Sequence, residues 1–224
     1  KGESRMRLVD VRHEQTAVFA AEATGKLDRH PGLAVLTAGP GVTNGISAVT
    51  QAHFAGSPLV VLGGRAPNAR WGTGSLQELD QPPLFRSVTK LSETARTVGE
   101  VGPTVDAAFT AAESPHRGPA FVDVPMDELY GRVTAPRPQA HVRSRLEPDS
   151  EDLAEIARLL TSAERPLLVL GTDVWADGAE NAALWFVDEL GIPVITNGMG
   201  RGIVPGGHPL LVSKARSTAV GTCD

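Results

Sequence analysis

Apolar positions along the chain fall into short continuous runs, separated by segments whose apolar residues recur with a helical period. Residues 7–11 predict a strand. Residues 14–26, rich in Ala and free of Pro, predict a helix with Ala17, Ala20, Ala21 and Thr24 on one face. Residues 33–37 read as a short buried strand ended by Ala38, Gly39, Pro40 and Gly41, and a helix is expected over 43–55. Another apolar strand, 58–62, closes on Gly63 and Gly64. Residues 77–85 are irregular or briefly helical, 101–112 predict a helix, and 120–124 predict a strand before Pro125. Continuous apolar strands alternating with helices imply a parallel sheet covered on both faces, joined by right-handed crossovers.

Between about Tyr130 and Pro148 the pattern lapses. Pro136, Pro138, Pro148 and several Arg appear without a hydrophobic period, which predicts a linker over 131–149. A second α/β unit follows. Ser150 is placed to cap a helix over 151–160 whose apolar face carries Leu153, Ile156, Ala157 and Leu160. Residues 166–170 and 193–196 predict two strands around a helix over 179–190. Residues 210–224 are not expected to complete that sheet. Two strands and two helices cannot readily bury both faces of a sheet, so the sequence reads as part of a longer polypeptide.

Composition narrows the class. Of 224 residues, 41% are hydrophobic and 4% aromatic, with 24 Gly and 17 Pro, which suits an α/β protein rich in turns and not a coiled coil. The net charge of −5 is spread without a basic block, so no nucleic-acid partner is expected. The one cysteine, Cys223, excludes an intramolecular disulfide framework and a Cys-based zinc site. No segment resembles a signal peptide, and the apolar runs are too short to span a bilayer, so a soluble, cytoplasmic protein is expected.

Candidate chemistry lies where predicted strands end. Glu14, in Arg12-His13-Glu14-Gln15, follows a strand and opens a helix, and in open α/β sheets ligands bind at the carboxyl ends of strands. Taken by position alone, the plainer role for Glu14 is to complement the helix dipole. Thr37-Ala-Gly-Pro-Gly-Val-Thr-Asn44 joins a buried strand to a helix through two glycines, which let backbone approach a ligand. It is neither a Walker loop nor the dinucleotide fingerprint, and a structural turn is the plain alternative. Residues 72–80 form a polar stretch whose Glu78 and Asp80 show no metal-binding spacing, and Gly198 to Gly202 read as a glycine-rich loop. The six His are dispersed, and no Gly-x-Ser-x-Gly elbow is present.

In order along the chain, Arg12-His13-Glu14-Gln15, the 37–44 turn, Ser57-Pro-Leu-Val-Val-Leu-Gly-Gly64 and Leu76-Gln-Glu-Leu-Asp80 resemble the pyrimidine-binding domain of acetolactate synthase-like thiamine-diphosphate enzymes. Gly118-Pro-Ala-Phe-Val-Asp-Val-Pro-Met126 looks like that domain's closing strand. Residues 165–171 and 191–198 are similar to the start of the family's central domain.

The resemblance implies a parallel-sheet pyrimidine-binding domain over 1–130, lacking its N-terminal part, the linker, and an incomplete central domain over 150–224. Glu14 is then the acid that hydrogen-bonds N1′ of the cofactor's aminopyrimidine, with burial favouring its protonated form. Gly39, Pro40, Gly41, Thr43 and Asn44 are placed near the pyrimidine, and Gln77 near the reacting centre. The Gly-Asp-Gly magnesium motif of the family's third domain is absent, so Mg²⁺ and the diphosphate are not expected to be held by this chain alone. FAD is allowed, because the central domain of acetolactate synthases binds it.

The implied reaction decarboxylates a 2-oxo acid such as pyruvate and condenses it with another. It takes place in a homodimer or homotetramer with the site between subunits, and the isolated chain is expected to be inactive. Two alternatives stay open. One is a thiamine-diphosphate decarboxylase or lyase of the oxalyl-CoA or benzoylformate type; the other is a non-catalytic α/β binding module.

Overall fold

The computed structural model describes residues 7–134, 147–212 and 215–223. The chain divides into two compact units, one within residues 1–143 and the other within 144–224. The expected linker falls largely on residues 135–146, outside the described residues.

In the first unit the order is α1 (Glu14–Asp28), β1 (Gly32–Leu36), α2 (Pro40–Ala55), β2 (Leu59–Arg65), a short α3 (Pro82–Phe85), β3 (Leu91–Thr94), α4 (Val98–Glu113) and β4 (Pro119–Pro125). The four strands form an all-parallel sheet in the order β1-β2-β4-β3. The inner strands carry apolar runs at 59–62 and 119–122 because both of their faces are covered: Leu59, Val60, Val61, Phe121 and Val122 are all fully buried. One layer packs Val18, Val42, Val49 and Phe85 against β1, β2 and β4, with Phe85 and Phe121 stacked 4.1 Å apart. The other layer sets Ala108 and Ala112 of α4 against Val60 and Val122.

Two glycines let α1 lie directly on the sheet. A Cβ on Gly32 would stand 1.8 Å from the carbonyl oxygen of Ala21, and one on Gly25 would stand 2.3 Å from that of Pro58. No side chain fits at either position unless the backbone shifts.

Two expectations for this unit are corrected. Residues 7–11 form no strand: among the described residues no strand pairs with them, and Leu8 and Val9 lie 85% and 64% exposed. Conversely, Leu91–Thr94 is an edge strand that its half-polar run, Leu-Ser-Glu-Thr, does not announce.

The second unit holds α5 (Ser150–Ser162), β5 (Leu168–Leu170), α6 (Thr172–Ala176), α7 (Glu180–Leu190), β6 (Val194–Thr196) and α8 (Arg216–Thr222). β5 and β6 pair in parallel, and Leu211 adds a single parallel bridge to Val194. Leu170, Val187, Val194 and Val204 form its core. The cap of α5 is Asp149, not Ser150: its carboxylate accepts from the Glu151 N–H at 2.7 Å. The expected apolar face of α5 is not buried among the described residues, where Leu153 and Ile156 are each about half exposed.

Candidate active site

Glu14 is the first residue of α1, where the backbone N–H groups of the opening turn have no intrahelical acceptor. His13 caps the helix by accepting from the Gln15 N–H through Nδ1 at 3.1 Å, which leaves the Glu14 side chain unused by the cap. Asn44, one turn into α2, donates from Nδ2 to Glu14 Oε2 at 3.1 Å and so ties the two helix starts together. The carboxyl of Glu14 is held below the ordinary glutamate range. The helix-terminal N–H of Glu14 itself is the largest cause, the Asn44 amide the second, with a smaller contribution from His13; burial opposes them. The expected protonated form is therefore not the one this chain favours. Glu14 is only half-buried, and the donors around it outweigh the loss of water.

The turn beneath Glu14 is built for close approach. Gly39 adopts φ 59° and ψ −115°, and Pro40 presets the first helical position of α2. A Cβ on Gly41 would stand 2.3 Å from Thr37 Cγ2 and 3.4 Å from Glu14 Oε1, so the strip beside the carboxylate is bare backbone. Thr43 turns away: its hydroxyl donates to the carbonyl of Pro40 at 3.1 Å within its own helix. Gln77 is exposed, has a positive φ of 61°, and brings its Cβ against Gly39, where a glycine Cβ would meet it at 2.9 Å. Glu14, Gly41 and Asn44 thus come together as one group, and Gly39 and Gln77 as a second alongside it.

One residue that ties this site together escaped the sequence reading. Gln81 is fully buried, and its amide makes three contacts. Oε1 accepts from the Gly39 N–H at 2.8 Å, while Nε2 donates to the Gly64 carbonyl at 2.9 Å and to Asp123 Oδ2 at 2.8 Å. The unusual backbone of Gly39 therefore hangs on a side chain 42 residues away. A glutamine ahead of Pro82-Pro83 reads as a surface turn in sequence. The only available signal is Phe85 at i+4, which faces the same interior.

Glu78, half of the carboxylate pair near Gln77, is spent on the loop, accepting from the N–H groups of Gly72 and Ser75. Among the described residues no group of three His, Cys, Asp or Glu is placed to hold a metal ion. Nor, among these residues, is any helix long and apolar enough to cross a membrane.

Residues 1–84 match the family model of the thiamine pyrophosphate enzyme N-terminal TPP binding domain, and residues 153–224 match that of the central domain. The acetolactate synthase large subunit IlvG of Mycobacterium tuberculosis is 48% identical over 99% of this chain and 41% of its own length. Human 2-hydroxyacyl-CoA lyase 2 is 35% identical over 98% of this chain and 40% of its own length. A solved structure from Mycobacterium smegmatis, described as a thiamin diphosphate-dependent enzyme, superposes with a TM-score of 0.77 at 26% identity, covering 84% of this chain and 36% of that one. The chain thus spans about two fifths of the length of the relatives it matches.

Proposed function

The chain belongs to the thiamine pyrophosphate enzymes, carrying segments of their N-terminal and central domains, and from that premise we propose that it serves an acetolactate synthase-type carboligase. The proposed substrate is a 2-oxo acid such as pyruvate. The observation that carries the reading is the Glu14 carboxyl, tethered to Asn44 at 3.1 Å and facing the bare backbone of Gly41.

That arrangement fits the edge of an aminopyrimidine. A flat heterocycle needs a carboxyl at its ring nitrogen and no Cβ in its plane, and Glu14 with Gly39 and Gly41 supplies both. Thiamine diphosphate, when bound, supplies the carbanion-stabilising chemistry. The part of Glu14 is to hold a proton at the ring nitrogen, and in the isolated chain its carboxyl is biased against carrying one. Covering the site excludes water, raises the cost of the carboxylate and moves the group toward its protonated form. We assign that cover to the cofactor and a second subunit, consistent with the partly exposed Glu14 and the exposed Gln77. Gln81 keeps the Gly39 turn in place while this occurs. No residue of this chain is assigned to Mg²⁺, which belongs with the cofactor's diphosphate, or to FAD.

The test is calorimetric binding of thiamine diphosphate with Mg²⁺, together with pyruvate turnover, in the complete enzyme that contains this chain and in its Glu14→Gln variant. Binding retained with turnover lost by about 10²-fold or more supports the role. Failure of the parent to bind the cofactor sinks the enzyme reading. A second reading, carbon–carbon cleavage of a 2-hydroxyacyl-CoA, is favoured by the relatives at 33–36% identity. It wins if the same enzyme turns over that thioester and leaves pyruvate untouched.

A further inference from the structure

Beside the Glu14 group, at the carboxyl ends of β2 and β3, lies a cleft of about 470 Å³ lined by Arg65, Asn68, Trp71, Asp80, Thr94 and Arg96. Arg65 ends β2, Thr94 ends β3, and β4 lies between them, pairing Gly63 and Thr94 with Asp123. The carboxyl edge of a parallel sheet is where ligands of open α/β folds are held.

The arginines give the cleft its character. The Arg65 side chain is 11% exposed and lies over the Trp71 ring at 3.8 Å. Its hydrogen bonds all leave from one nitrogen: Nη1 donates to Asp123 Oδ2 at 3.1 Å and to Asp80 Oδ1 at 3.3 Å. A guanidinium carries five donors in a planar fork. Nε and Nη2 of Arg65 have no acceptor among the described residues, although the side chain is nearly enclosed. Arg96 is exposed, and its guanidinium likewise has no acceptor among the described residues.

Asn68 is fixed between them. Its N–H and that of Ala69 donate to the Asp127 carboxylate at 3.0 and 3.1 Å, and its Nδ2 donates to the Arg96 carbonyl at 2.7 Å. Two carboxylates oppose the positive charge. Asp123 is fully buried and engaged behind the cleft by Arg65 and Gln81, while Asp80 lies 62% exposed at the rim on the longer of the two ion pairs.

We propose that this cleft is an anion-binding site, separate from the Glu14 group, in which a carboxylate or phosphate is held by the free edge of Arg65 and by Arg96. The Trp71 stack and the Asp123 bond keep the Arg65 fork oriented, so its remaining donors are presented side by side, the geometry that suits a bidentate oxyanion. Arg65 shares Asp123 Oδ2 with Gln81, and Gln81 holds Gly39, so an anion in the cleft stands four contacts from the turn beside Glu14.

The site does not rest on the thiamine reading, and it is tested without that cofactor. The protein has three Trp, so three indole N–H resonances are expected, and Trp71→Phe identifies the one in the cleft. Inorganic phosphate and acetate are titrated separately at constant ionic strength, with chloride as the control. A saturable shift of the Trp71 resonance, with Trp175 and Trp185 unmoved, is expected for at least one anion. Arg96→Gln, an exposed change that removes no internal bond, is expected to weaken that binding by about tenfold or more. Saturation by phosphate alone identifies a phosphate ester as the natural ligand group, and saturation by acetate identifies a carboxylate. Absence of saturation with both anions, or a response that Arg96→Gln leaves unchanged, overturns the site.

Discussion

Replacing Gln81 by leucine is the most searching perturbation of this fold, because a side chain of similar size is kept while three bonds are removed at once. The Gly39 N–H loses its acceptor, the Gly64 carbonyl loses a donor, and Asp123, already with one oxygen unpartnered, keeps only Arg65 on the other. A buried polar group left without a partner costs about 1–3 kcal/mol, more when charged, against a small gain from the added apolar surface. The expected loss is about 3–5 kcal/mol. With a urea slope of about 2 kcal/mol/M, the unfolding midpoint falls by about 2 M. The assay follows Trp71 emission in a Trp175→Phe, Trp185→Phe background, so the first unit alone is reported. Exchange of the Gly39 amide proton should quicken in the same variant. Gln77→Ala, at an exposed residue with no hydrogen bond, serves as the contrast and should change stability by less than about 0.5 kcal/mol. A Gln81→Leu loss below about 1 kcal/mol would refute the claim that this amide holds the Gly39 turn.

Gly41→Ala places a methyl 2.3 Å from the stiff Thr37 side chain and beside Glu14, and should weaken thiamine-diphosphate binding in the complete enzyme by about tenfold or more, read by calorimetry. Asn44→Ala removes the second cause of the lowered Glu14 pKa and should move its carboxyl titration upward in carbon-13 NMR. The sign for stability is set by the same shift. A carboxyl whose folded-state pKa is depressed contributes stability above its unfolded value and loses it as pH falls through the folded one, so the wild-type advantage over Asn44→Ala should fade in acid. Arg158→Ala breaks an exposed pair with Glu155 on α5 and should cost less than about 0.5 kcal/mol in urea unfolding.

The buried strands were legible because their covering is symmetrical: 59–62 and 119–122 carry apolar residues at every step, which only a two-sided sheet demands. Helices α1, α2, α4 and α7 announced themselves by composition and by glycine or proline at their ends. What escaped was decided by neighbours, not by local chemistry. Residues 7–11 have a strand's composition but no strand to pair with among the described residues. Leu91–Thr94 has an edge strand's mixed character and is recruited by β4. Glu14, Gly41 and Asn44 could be singled out one by one, but the 3.1 Å tether needed the packing of α1 on α2. Gln81 and Arg65 were invisible for a different reason. A polar side chain in sequence gives no sign of whether water or a buried carboxylate receives its protons.

The two glycines that seat α1 on the sheet also set a tolerance on the chemistry. Gly25 lies eleven residues from Glu14, about 16 Å along the helix axis at 1.5 Å per residue. The helix thus behaves as an arm pivoting where Gly25 and Gly32 touch backbone. A tilt of only about 5° at that pivot would swing the carboxyl by roughly 1.4 Å over this arm, an offset that alone is enough to spoil a positioned acid. Variation at either glycine therefore acts as a vernier on a distant group. A methyl that the fold survives would still leave the acid aimed past its target.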